Sequence, residues 1–114
     1  SSKLLKAKKQ GYTITLLFFW LNNIALAKER VKTRVQEGGH HIPEKIIERR
    51  YMRGVHHLFD IYLNLVDGAL IFDNSYGKHE LIAQKFGENE IVINNPKAYH
   101  QLKGFYNDKN RTTN

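Results

Sequence analysis

Eight basic side chains crowd one short stretch of the sequence: Lys28, Arg30, Lys32, Arg34, Lys45, Arg49, Arg50 and Arg53. Placed on helices at about 100° per residue, they separate into groups. Arg34 lies about 20° and Arg30 about 60° from Ala27, along one edge of an apolar stripe, while Lys28 and Lys32 fall beyond the opposite edge. Arg30 and Arg34, four residues apart, can reach one target. On the following helix Arg50 flanks the apolar stripe, whereas Arg49 and Arg53 share a more solvent-facing side. A cleft between the two helices and a sheet would receive Arg30, Arg34 and Arg50. A guanidinium stays charged and offers a planar fork of donors to phosphate oxygens, so such a cleft suits phosphate binding and the charge that develops in phosphoryl transfer. The alternative is a solvated basic face paired with Glu29, Glu37, Glu44 and Glu48. Spacing alone leaves both readings open.

The other chemistry-bearing residues are sparser. His40-His41 and His56-His57 are adjacent pairs, and neighbours on a helix point about 100° apart, so neither pair has the spacing of a chelate. His40, between a helix stop and a helix start, is placed to order the loop or touch a ligand. Asp73, Asn74 and Ser75 follow an apolar run, at the end of a strand where open parallel sheets bind ligands; the same three residues are also ordinary turn chemistry. No nucleophile elbow of the GxSxG type occurs. No GxxxxGK[ST] phosphate loop occurs either: Gly77-Lys78 is followed by His79, and Phe72 stands five residues before Gly77.

These residues need elements to hold them. Leu4 to Gln10 reads as the end of a helix stopped by Gly11. Thr13 to Trp20 is apolar at nearly every position and predicts a strand buried on both faces of a parallel sheet, which only helices could cover. Asn22 or Asn23 caps a first helix of about fourteen residues, with Ile24, Ala27, Val31 and Val35 at helical spacing until Gly38 and Gly39 stop it. Pro43 suits the first position of a second helix, with Glu44 favourable beside its positive end. Ile47, Tyr51, Val55, Leu58, Tyr62 and Leu65 share about an 80° arc, which predicts one long helix to about Val66 or a helix kinked at Gly54. Ala69 to Phe72 then closes a βαβ crossover. Leu81 to Phe86 and Glu90 to Ile93, around Gly87-Glu88-Asn89, predict a C-terminal β-hairpin, and Pro96 opens a helix through about Leu102. Residues 107–114 read as a polar tail.

Composition sets the bounds. At 114 residues the chain is one domain or a piece of one, and a two-domain enzyme is excluded. Hydrophobic residues at 41% and charged residues at 25% exclude disorder throughout. The absence of cysteine removes disulfides and thiolate chemistry and fits a reducing compartment, with the cytoplasm expected. The longest apolar run, Tyr12 to Leu21, is about half of the ~20 residues that a membrane helix needs. A net charge of +7 suits phosphate-bearing partners.

The ordered series Arg30, Val31, Arg34, Val35, Gly38-Gly39-His40, Ile42-Pro43, Ile47, Arg49-Arg50-Tyr51 and Arg53, with Asp73-Asn74-Ser75 as a second anchor, resembles the C-terminal half of zeta-toxin-like P-loop kinases. The resemblance runs from Gly11 to about Phe86. It implies a three-layer α/β P-loop kinase fold, occupying residues 1–106, whose helical pair (about 23–66) forms a lid over ATP. Arg34 and Arg50 are then the principal phosphate ligands, with Arg30 and Arg49 beside them. ATP and Mg2+ are the cofactors implied for the parent protein, and a phosphate-accepting small molecule its substrate. An antitoxin is a possible protein partner. The family's phosphate loop and acidic catalytic base have no counterpart here, so about half of the kinase is expected to be missing and the chain alone to be inactive, with no catalytic residue of its own. Half a sheet would also leave an open edge along Thr13 to Trp20, inviting homodimerisation. The competing reading is a basic module that binds nucleic acid or protein without catalysis; Arg49-Arg50-Tyr51-Met52-Arg53 suits it, but no nucleic-acid-binding signature accompanies that run.

Overall fold

In a computed structural model the chain is described over residues 2–108. Helix α1 (Ser2–Lys9) leads into strand β1 (Thr15–Trp20), followed by α2 (Ile24–Gln36) and α3 (Glu44–His57). A π-helical turn, Leu58–Tyr62, and a last α-helical turn, α4 (Leu63–Leu65), extend α3 toward β2 (Gly68–Asp73). Then come β3 (Glu80–Phe86), β4 (Val92–Ile93) and α5 (Pro96–Asn107). The four strands form one open sheet in the order β1-β2-β3-β4. Only β1 and β2 are parallel, from Thr15 opposite Gly68 to Trp20 opposite Asp73; β3 and β4 run antiparallel. The sheet is therefore mixed, because β3 returns from β2 by a short turn, whereas a parallel strand would need another long crossover.

The βαβ crossover, the C-terminal hairpin and the terminal helix match the sequence reading in kind. Helix α5 runs five residues past Leu102, with Pro96 in its first turn and Asn95 Oδ1 accepting the Ala98 N–H at 3.1 Å. Pro43 sits at the N-cap of α3, one position earlier than expected. The helix does not break at Gly54; its irregularity falls at Leu58–Tyr62, where one turn widens to π geometry. This keeps Leu58 fully buried (0% exposed) while the chain is re-aimed into β2. The expected polar tail lies, from residue 109 on, outside the described residues.

The expectation of a strand buried on both faces is not met. Burial along β1 alternates: Trp20 is buried, while Leu17 and Phe19 remain 54% and 49% exposed. Successive strand side chains point to opposite faces, and α3, the π turn and α5 cover only one of them. On that face Trp20, Val55, Leu58, Ile71, Ile82, Ala83, Ala98 and Leu102 form the core. A bulge opposite Ile71 and Phe72 lets the consecutive residues Ile82 and Ala83 both be buried. On the other face Phe19 stacks on Phe72 at 5.4 Å in the open. Among the described residues the architecture is thus two layers, not three.

Candidate functional site

The C-terminal ends of the parallel pair carry the densest polar network. Asp73 is the last residue of β2, and Asp73 and Ser75 are each only 7% exposed. One carboxylate oxygen of Asp73, Oδ1, accepts the Ser75 N–H at 3.0 Å and also the Ser75 hydroxyl. That hydroxyl oxygen accepts the backbone N–H of Asn22 at 2.8 Å. Asn22 Nδ2 donates to Tyr76 OH at 3.0 Å and, at 3.4 Å, to Asp73 Oδ2. Asn74 N–H donates to Trp20 O at 2.8 Å, extending the β1–β2 ladder by one bond past the strand. A short turn is thus pinned to the end of the neighbouring strand by both main chain and side chains.

Two asparagines in a row make this possible. Only Asn23 caps α2, its Oδ1 accepting the Leu26 N–H at 2.7 Å. Asn22 is then free to reach across to β2, and Asn23 Nδ2 donates to Asn22 Oδ1 at 3.0 Å. By spacing the two are alternatives for one role, and nothing local singles out Tyr76. The signal was present in the doubling itself, since a helix uses one N-cap residue.

Arg30 is the candidate arginine that the fold brings to this cluster. Seven residues past Asn23 is nearly two turns, so Arg30 stands on the same side of α2, about 10 Å further along. Its Nη2 donates to Asn74 O at 3.0 Å and Ser75 O at 3.4 Å, and the residue is half-buried. Arg34, Arg49 and Arg50 are exposed, as is His40. Of Arg30, Arg34 and Arg50, expected in a cleft between the helices and the sheet, Arg30 reaches the sheet end; the groove between α2 and α3 is lined by other residues. Its lining includes Lys28, Lys32, Lys45, Val31, Ile42 and His41. The helices cross so that the lysine-bearing side of α2 faces α3. Lys28 Nζ donates to Glu48 Oε1 at 2.6 Å there, and this bond raises the lysine's pKa above its ordinary value against a smaller desolvation effect.

The loop joining the two helices is shaped by its glycines. Gly38 has φ +103°, and its N–H donates to Val35 O at 3.1 Å, while Gly39 N–H donates to Arg34 O at 2.7 Å. These two bonds form a Schellman ending. A Cβ on Gly39 would stand 2.8 Å from Arg34 O, so the close return of the loop excludes a side chain there. Of the histidine pairs, His56 has Nδ1 2.8 Å from Met52 O on its own helix. Among the described residues no three His, Asp or Glu side chains gather as a metal site.

Comparison with known proteins adds one relative. Over 45 residues the chain is 38% identical to an uncharacterized protein of Haemophilus influenzae, covering 40% of this chain and 32% of that protein. The chain spans about a third of the relative's length. No family model and no solved structure matches the chain. Among the described residues no helix is long and apolar enough to cross a membrane.

Proposed function

We propose that this chain is part of an ATP-binding phosphotransferase of the zeta-toxin-like type, in which α2 and α3 carry arginines toward the phosphates of the nucleotide. The observation that supports this most is the reach of Arg30 onto the Asn74 and Ser75 carbonyls, which joins the basic helix to the C-terminal end of a parallel strand pair. That end is where ligands sit in open α/β sheets, and exposed guanidinium groups on the adjoining helices supply bidentate donors for phosphate oxygens. Arg34 and Arg50 are the residues assigned to those oxygens, with Arg49 beside them; Asp73 and Asn74 shape the strand end. Helix α2 buries no residue fully, as suits an element that rests on the domain without forming its core. The reading places the phosphate loop and the catalytic base in sequence outside this chain and assigns no residue here to Mg2+.

The test uses the protein expressed from its complete reading frame. Arg34→Ala and Arg50→Ala should each lower kcat/KM for ATP about tenfold or more, whereas Lys32→Ala, in the groove on the other side of α2, should change it less than about twofold. Equal effects of all three would sink the lid assignment. Steeply salt-dependent binding to any DNA or RNA without a response to ATP would favour the nucleic-acid reading instead.

A further inference from the structure

We infer that Arg30 is a positioning residue, a clamp that fixes the axis of α2 and thereby where Arg34 stands, and is not itself a phosphate ligand. The inference rests on the phosphate-binding reading above and refines it. Arg30 differs from the exposed Arg34, Arg49 and Arg50 in being half-buried and in having its Nη2 committed to two successive carbonyls. Those carbonyls belong to a turn that is held without Arg30, through Asp73 to Ser75, Ser75 to Asn22 and Asn74 to Trp20. The clamp therefore closes on a fixed anchor.

A rod needs two attachments to have a direction, and α2 has few. Its N-terminus is fixed by the Asn23 cap and, through Asn22, by the strand-end network. Without a fully buried residue, its apolar hold on the rest of the molecule is modest. Lys28, bonded to Glu48, ties α2 to α3, and Arg30 supplies the attachment to the sheet about 10 Å up the helix, by hydrogen bonds that carry a charge and are worth more than neutral ones. Arg34 follows one turn later. Releasing Arg30 leaves α2 held at its N-cap and by Lys28 to α3 but no longer to the sheet, so it can tilt away from the strand end, and the displacement grows with distance along the helix.

The experiment is an ATP titration, up to millimolar concentrations, of the protein expressed from its complete reading frame, followed by amide NMR, which reads weak binding directly. In the free protein, Arg30→Gln should shift the Asn74, Ser75 and Asn22 amides, while Leu58, Ile71 and Ile82 keep their core positions. With ATP, wild type should show shifts around Arg34 and Arg50, and Arg30→Gln should weaken ATP about tenfold. The deciding measurement is the double variant. Arg34→Gln should weaken ATP in the wild-type background yet change affinity less than about twofold when Arg30 is already Gln, because an unclamped helix no longer presents Arg34. Losses that multiply instead identify two independent ligands and overturn the inference while leaving phosphate binding intact. No ATP shifts at Arg34 and Arg50 in wild type would overturn the phosphate reading and the clamp with it. Should Arg30→Gln lose the core signals, Arg30→Lys carries the same comparison.

Discussion

Ser75 sits where three segments meet, and its hydroxyl works in both directions, accepting from the Asn22 N–H and donating to Asp73. Removing it leaves a part-buried amide and a buried carboxylate each short of a partner. Ser75→Ala should therefore destabilise the protein by about 1–3 kcal/mol, measured by urea unfolding. Asn23→Ala removes the cap and an exposed bond to Asn22 Oδ1 and should cost about 1 kcal/mol in the same assay. At this scale the sequence was informative about residue type and poor about partners. Asp73, Asn74 and Ser75 were legible as a strand-end group because turn chemistry is local. The reach of Arg30 across 44 residues, and of Asn22 across 53, depends on how strands and helices are placed in space, which no spacing rule encodes. For the same reason spacing does not tell which of Arg30, Arg34 and Arg50 reaches the sheet, or that lysines line the groove between α2 and α3: helical wheels give angles around each axis but not which side turns toward the neighbour.

Elements were more readable than contacts. The crossover followed from β-branched and aromatic runs flanking helical periodicity, and the hairpin from its turn residues. The π turn was not legible, since widening by one residue leaves the apolar spacing nearly unchanged and looks like a continuous stripe. The join between β1 and β2 carries a pH prediction. Asp67 Oδ2 accepts the Ile14 N–H at 2.7 Å, and Lys8 Nζ lies 3.5 Å from Oδ1. The Ile14 bond, opposed by desolvation and aided by Lys8, holds the carboxyl below its ordinary pKa. A lowered folded-state pKa stabilises above the unfolded value of about 4, and this contribution is lost as pH falls through the folded value. Asp67→Asn should flatten that part of the stability–pH curve, measured by thermal melts between about pH 5 and 2. Gly39→Ala, forced against Arg34 O, should shift the amide resonances of residues 38–42 and lower the melting temperature of the domain.

For the molecule as a whole, the uncovered face decides behaviour. Leu17 and Phe19 are apolar, half-exposed and carried on an edge strand free of charge, proline or bulge, the devices that discourage edge pairing. Association of two copies through this edge, expected from the sequence, should appear as concentration-dependent sedimentation. Leu17→Lys should abolish it, and a strictly monomeric wild type at high concentration would count against it. The same strand has a further consequence, in time. Its hydrogen-bonded neighbour β2 lies 53 residues away along the chain, whereas β2, β3, β4 and α5 follow one another directly. Closing so long an excursion is the slow, entropically expensive step, so β1 should join a nucleus already formed by the later elements. Its amides should then exchange with solvent sooner than those of β2, and the strand that is last to arrive should be first to leave.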